Sequence, residues 1–154
     1  MFTPPKDDAI YLSRADVNEP LASYSKHGFE LDGFYWPSVE HYFQAMKFTS
    51  TAYQTKIREA AHPDEAYQLG NKWFKPKRRD WKKVRETIMT RGVYIKCKTH
   101  PEVAEALLAT GEKKLIENSL YDYFWGCGRD RRGKNAYGET LMRVRSKLRD
   151  EQGE

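Results

Sequence analysis

Apolar and polar positions alternate along residues 28 to 36, GFELDGFYW, on either side of Asp32-Gly33. A period of two marks strands, and an Asp-Gly pair between two such runs predicts a tight hairpin. Pro37-Ser38 comes next and predicts a helix start, because proline carries the φ of a first turn and serine caps unpaired amides. That helix should run through about Phe48. Further helices are predicted at Ala52 to Ala61, stopping before His62-Pro63, and at Asp64 to Leu69, ending at Gly70. Trp81, Val84, Ile88 and Ile95 recur at mostly helical intervals, so a long helix is expected from Asp80 to about Thr99, with Gly92 interrupting one turn. Pro101 to Ala109 reads as another, and residues 113 to 125 as a short helix followed by an extended run. Tyr137, Leu141, Val144 and Leu148 form the core stripe of a final helix. A short strand is expected at Ala9 to Ser13, after an irregular start over residues 1 to 8. The pattern as a whole predicts an α+β fold, predominantly helical with a small β element, without repeats or linkers.

The 154 residues fit a single domain spanning 1–154, and 39% hydrophobic with 14% aromatic residues supply a core despite a low mean hydropathy. No stretch reaches the roughly 18 apolar residues that a membrane span needs, and the N-terminus lacks the order of a secretory signal. A cytoplasmic protein with no membrane partner is therefore expected. Cys97 and Cys127 have no C-x-x-C partner and read as free thiols. The net charge of +5 is concentrated: residues 70 to 85, GNKWFKPKRRDWKKVR, hold eight Lys or Arg against one acid. Such a local excess points to an anionic partner rather than to a generally basic surface.

Several residues could carry chemistry. At 100° per residue, Glu40, Gln44 and Lys47 share one helical stripe, and Val39, Phe43 and Met46 share a second. One face can pack while the other lines a cleft. The same spacing also suits a first-turn acid and a solvated late-turn base on an exposed face. The run from Lys72 to Arg85 interleaves Trp73, Phe74 and Trp81 with cations, a composition for phosphates and stacked bases, or for a solvated face over buried tryptophans. The loop WGCGRDRRGK, residues 125 to 134, offers a tryptophan, glycines for close backbone approach and several cations, and would equally serve as a tight structural turn. His27, His41, His62 and His100 are scattered, so no metal site is indicated. The glycine fingerprints of phosphate loops and dinucleotide folds are missing, and no spacing supports Cys127 as a thiol nucleophile.

W-P-S-V-E-H-Y-F-Q-A-M-K-F at 36 to 48, Gly70, K-P-x-R-x-D-W around 75 to 81, Asp122 with W-G at 125 and 126, and G-K-N-x-x-G-x-x-L-M at 133 to 142 together resemble the NADAR family, also called YbiA-like. The likeness runs from about Leu21 to Leu148. It implies a small soluble N-glycoside hydrolase without a cofactor or metal, acting on the bond between a ribose phosphate or ADP-ribose and an amino-bearing heterocycle. Two substrate classes follow from the family: ribosylaminopyrimidine phosphates of early riboflavin synthesis, and ADP-ribose on guanine in DNA or RNA. A non-catalytic binder of ADP-ribose or an NAD-like ligand is a third reading. The resemblance implies Glu40, Lys47 and Asp122 as catalytic residues, with Lys47 either a Schiff-base nucleophile or a charge beside Glu40 acting as general base. It implies Gln44, Trp125, Gly126, Cys127 and Asn135 as substrate contacts, and Trp36 as a wall of the substrate pocket or a plain core tryptophan. Arg78 and Arg79 are the candidate phosphate contacts, and Lys72 to Arg85 a path for nucleic acid. Cys127 stands where many members carry an acid, Ala22-Ser23-Tyr24 stands where the family often has Ser-Asn-Phe, and Asn71-Lys72 offsets the basic position after Gly70.

Overall fold

The computed structural model describes residues 8–153, so the start expected over residues 1 to 8 lies outside the described residues except for Asp8. In chain order the elements are β1 (Ile10–Leu12), β2 (Phe29–Leu31), β3 (Phe34–Trp36), α1 (Val39–Ala45), α2 (Thr51–Arg58) and α3 (Pro63–Gly70). α4 (Trp81–Thr99), α5 (Pro101–Leu108), β4 (Leu115–Glu117) and α6 (Ala136–Gln152) complete them. The mostly helical α+β architecture agrees with the periodicity.

The hairpin forms where the alternation placed it. β2 and β3 pair antiparallel with Phe29 opposite Trp36, and Asp32 and Gly33 both take positive φ, 57° and 84°, the handedness whose twist matches the flanking strands. It hands the chain to Ser38, whose hydroxyl accepts from the His41 amide at 3.1 Å and caps α1. All seven residues of α1 are buried, because α2, α3 and α4 surround it. α4, α5 and α6 pack on one another to form the rest of the helical body, and α6 carries β4. Phe29, Trp36, Tyr42, Met89, Tyr137 and Leu141 lie in the shared core.

Two expectations change. α1 ends at Ala45 rather than near Phe48, and the chain tightens into i to i+3 bonds, with Lys47 N donating to Gln44 O at 3.3 Å and Phe48 N to Ala45 O at 3.2 Å. The short helix expected after Lys113 is instead β4, which pairs parallel with β1 in the register Ile10 to Leu115 and Leu12 to Glu117. Its partner lies at the other end of the chain, so no local window contains the signal. Both cysteines are free thiols, Cys97 buried and Cys127 partly so. No helix among the described residues is long and apolar enough to cross a membrane.

Candidate active site

Glu40 lies in the first turn of α1 with none of its side chain exposed. An isolated carboxylate there would cost several kcal/mol, so its partners decide whether the site can exist. Ser23 Oγ donates to Oε2 at 2.7 Å, Arg14 Nη1 to the same oxygen at 3.3 Å, and Gln44 Nε2 to Oε1 at 2.7 Å. The last contact is the i to i+4 relation that helical spacing dictates. The Glu40 amide also donates to Ser23 O at 3.0 Å, which ties the 22 to 25 turn to the helix. This is a buried charge network, and the reading of Glu40 as a solvated surface acid is excluded.

Arg14 enters from the loop after β1. Its backbone amide donates to Glu117 Oε2 at 2.7 Å, and its guanidinium sits 5.7 Å from the centre of the Trp125 ring. Burial works against its charge, but Glu40, Tyr24 and Asp122 outweigh that and hold its pKa above the ordinary value. Glu117, at the end of β4, is itself fully buried and also accepts from the Ser119 amide at 2.8 Å. Two buried carboxylates therefore grip Arg14 from opposite ends.

Lys47 is only 4% exposed, and its Nζ has two long contacts, 3.4 Å to Gly70 O and 3.3 Å to Asn71 Oδ1. Among the described residues no carboxylate stands within ion-pair distance of it. Burial pushes its pKa down to about 7, Lys77 and Arg14 push the same way, and Glu40 pulls it partly back. Gly70 is required here for space: a Cβ on it would stand 1.9 Å from Gln44 Oε1. Gln44 thus keeps its amide nitrogen on Glu40 and an oxygen with no partner, although the side chain is buried.

Two adjoining cavities meet in front of these residues. A cavity of about 200 Å³ is lined by Gln44, Lys47, Lys77, Arg85 and Trp125, and one of about 680 Å³ by Tyr24, Leu120, Tyr121 and Tyr123. Arg14, Tyr67, Asp122 and Phe124 line both and mark the junction. Glu40 stands behind Gln44 and Arg14 with both oxygens engaged. Asp122 is the carboxylate at the junction, where its Oδ1 accepts from the amides of Phe124 at 3.0 Å and Trp125 at 2.8 Å and fixes the turn that presents them. Among the described residues, no three His, Cys, Asp or Glu side chains converge as a metal site.

Of the residues named from sequence, Glu40, Gln44, Lys47, Asp122 and Trp125 gather here. Trp36 does not; it is a core residue, 1% exposed, donating to Leu31 O at 3.0 Å and packing edge-on against Tyr42. Arg78 forms a two-pronged pair with Asp80 at 2.6 and 3.0 Å, and neither it nor Arg79 lines either cavity. Gly126 is pressed against Glu117, since a Cβ would come within 2.7 Å of Oε1. Asn135 clamps β4, its Oδ1 accepting from Glu117 N at 2.8 Å and its Nδ2 donating to Leu115 O at 2.9 Å. Cys127 and Asn135 line a separate cavity of about 260 Å³. The acid-to-cysteine change therefore lies away from Glu40 and Lys47. Arg14, Ser23 and Glu117 were not foreseen as site residues, and Lys77 and Arg85 were foreseen only as members of the cation-rich Lys72 to Arg85 run. The signal for Ser23 was Ala22-Ser23-Tyr24, read in sequence as a departure, in which Ser23 holds Glu40 and Tyr24 lines the larger cavity.

The sequence matches the NADAR domain over residues 1–149. The chain belongs to the NADAR family. Within it, the chain is 43% identical to the N-glycosidase Npun_R5314 of Nostoc punctiforme, over 84% of this chain and 85% of that protein. It is 36% identical to the N-glycosidase YbiA of Escherichia coli, over 90% and 86%. The NMR structure of E. coli YbiA superposes with a TM-score of 0.86 at 35% identity, covering 97% of this chain and 90% of that one. A riboflavin biosynthesis protein of Vibrio vulnificus, VVA0006, is 36% identical across 94% of this chain, which corresponds to 40% of that longer protein. Of the α1 stripe, Gln44 and Lys47 line the smaller cavity and Glu40 lies buried behind them.

Proposed function

We propose that this NADAR-family N-glycosidase hydrolyses the bond between ribose C1 and an exocyclic amine of a heterocycle in a phosphorylated ribosylamine, of the kind made early in riboflavin synthesis. The observation that carries this reading is the Lys47 amine, buried in a cation-rich cavity with no carboxylate among the described residues paired to it. The riboflavin name of the Vibrio relative supports the pyrimidine class.

A ribosylamine can open: the exocyclic nitrogen pushes its electron pair toward C1, the C1 to ring-oxygen bond breaks, and that oxygen takes a proton. Neutral Lys47 Nζ then adds to C1, and a proton moves from Lys47 to the heterocycle nitrogen. The C1 to nitrogen bond breaks and the amine leaves, giving a protein-bound iminium. Water adds to C1, Lys47 departs with a proton, and the sugar phosphate closes again. Balance requires one water consumed and one amine released. Asp122 carries these protons in this reading, which its position in the cavity lining supports. Glu40 acts from behind the wall, where its charge favours the cationic intermediate and its hydrogen bonds fix Gln44 and Arg14.

The test is release of free heterocycle and sugar phosphate from a ribosylaminopyrimidine phosphate, with borohydride added to trap the Lys47 adduct. Turnover without any adduct would leave direct displacement as the mechanism. Binding without turnover, unchanged in Lys47→Met and Glu40→Gln, would favour the non-catalytic reader instead.

One observation favours a second substrate. Trp73 and Phe74 are 93% and 57% exposed, ring against ring at 5.7 Å, within the basic run that begins beside the cavity at Asn71. Exposed aromatics among cations suit a nucleic-acid strand, as ADP-ribosylated guanine would require. Salt-sensitive release of ADP-ribose from a modified oligonucleotide, lost on Trp73→Ala, would support that reading.

A further inference from the structure

We propose that the substrate lies across the two cavities in one direction, its ribose phosphate in the smaller one against Arg85 and Lys77 and its heterocycle in the larger one among the tyrosines. The assignment rests on the N-glycosidase reading above and adds a register to it: the site is strict for the phosphate and tolerant of the base.

Unmet hydrogen-bonding capacity is the first argument. Among the described residues, two buried side-chain atoms lack a partner, Gln44 Oε1 and Arg85 Nε, and both residues line the smaller cavity. Buried polar atoms are rarely left unpaired, so an orphan acceptor and an orphan donor on residues lining one cavity describe a missing ligand with both functions. A sugar hydroxyl can donate to Gln44 Oε1, and a phosphate oxygen can accept from Arg85 Nε. The identity of the Gln44 oxygen is fixed by its neighbour, because Glu40 can accept only from the amide nitrogen.

Charge separates the two cavities in the same sense. Among the described residues, Arg14, Lys47, Lys77 and Arg85 face the smaller one against Asp122, whereas the charged groups of the larger one are Arg14 and Asp122, which offset each other. Arg85 is also preset for an anion: its guanidinium lies 3.4 Å from the centre of the Phe124 ring, which orients the fork without consuming its donors. The larger cavity offers flat apolar rings, including Tyr121 at 83% exposed and Tyr123 at 48%, the surface on which a heterocycle stacks.

Size gives the strictness. About 200 Å³ is below the roughly 300–1,000 Å³ of whole small-molecule sites, so the smaller cavity holds part of a ligand, while about 680 Å³ leaves latitude in the base. C1 of a ribose phosphate lies between its phosphate and its base. This register therefore puts C1 near the junction, close to Lys47 and Asp122.

Equilibrium binding of separate fragments tests this: ribose 5-phosphate, ribose and a free triaminopyrimidinone, each titrated calorimetrically against the full chain. Ribose 5-phosphate should bind wild type about tenfold or more tighter than ribose, and Arg85→Met should erase most of that difference while leaving the pyrimidinone within about twofold. Lys77→Met, at an exposed position that threatens no packing, should act in the same direction. Tyr121→Ala combined with Tyr123→Ala, at two exposed rings that line the larger cavity and not the smaller, should weaken the pyrimidinone about fivefold and spare ribose 5-phosphate. The reverse dependence, or equal weakening of both fragments by both sets of variants, would overturn the register. Turnover of the intact ribosylaminopyrimidine phosphate judges the underlying reading separately. Turnover with the reverse fragment pattern refutes the register alone, and the expected pattern without turnover upholds the register while the hydrolase reading falls.

Discussion

The acid limb of the rate profile is the most direct consequence of Lys47's position. With its pKa pushed down to about 7, half of the amine is neutral at pH 7, whereas an ordinary lysine at 10.5 would be neutral on the order of once in 3,000 molecules. If the neutral amine attacks C1, kcat/KM should be flat above about pH 8, fall about tenfold by pH 6 and about a hundredfold by pH 5. The two charges acting on Lys47 should move this limb in opposite directions. Lys77→Met removes a like charge and should carry it to higher pH, whereas Glu40→Gln removes the attraction that holds the proton on and should carry it to lower pH. The limb's position is the readout, not its height, because Lys77 also belongs to the binding surface. Initial rates of heterocycle release at saturating and subsaturating substrate, from pH 5 to 10, measure it. Lys47→Arg provides the control, since a guanidinium stays protonated throughout and should abolish turnover. An acid limb that stays fixed in both charge variants, or that survives in the residual activity of Lys47→Arg, would assign the ionisation elsewhere and remove Lys47 as the nucleophile.

Three other outcomes are expected. Ser23→Ala deletes a 2.7 Å donor to a buried carboxylate, worth about 1.5–3 kcal/mol, and should lower kcat/KM about tenfold or more in steady-state assays. Gly70→Ala forces a Cβ to 1.9 Å from Gln44 Oε1 and 2.7 Å from its Cδ, so it should be severe in wild type and clearly milder, though not silent, in a Gln44→Ala background, which keeps the Gln44 Cβ at 2.9 Å; a double-mutant cycle reads that non-additivity. Thermal stability should rise from about pH 7 to about pH 9: Lys47 and Lys96 are each held near 7 when folded and near 10.5 when unfolded, so the unfolded chain binds more protons there, whereas above that the Cys97 thiol and the buried Tyr24 and Tyr137 phenols, all pushed up by burial, oppose the trend. Lys47→Met should accordingly raise Tm at pH 6 and lose that advantage as pH approaches 10.5, followed by circular dichroism.

Local chemistry was legible in the sequence wherever a short window contained its cause. The Asp32-Gly33 turn, the Ser38 cap and the i to i+4 contact from Gln44 to Glu40 all follow from backbone handedness or from 100° per residue, and the structure holds each of them. The family motif likewise placed Lys47 and Asp122 in the cleft. Long-range pairing was not legible. β4 becomes a strand only because β1 lies beside it, and Arg14, Ser23 and Glu117 reach Glu40's network from segments with no periodic pattern of their own. Within the cation-rich run, composition could not separate Arg78, which turns to Asp80, from Lys77 and Arg85, which line the cavity, because that depends on where α4 starts relative to α1. The same limit applied to the glycine loop, whose Cys127 and Asn135 face away from the cleft that Trp125 lines. Sequence by itself determined which residues share a helix face; tertiary structure decided that this face is buried, and burial is what turns an ordinary acid and an ordinary lysine into a charged network beside a neutralisable amine.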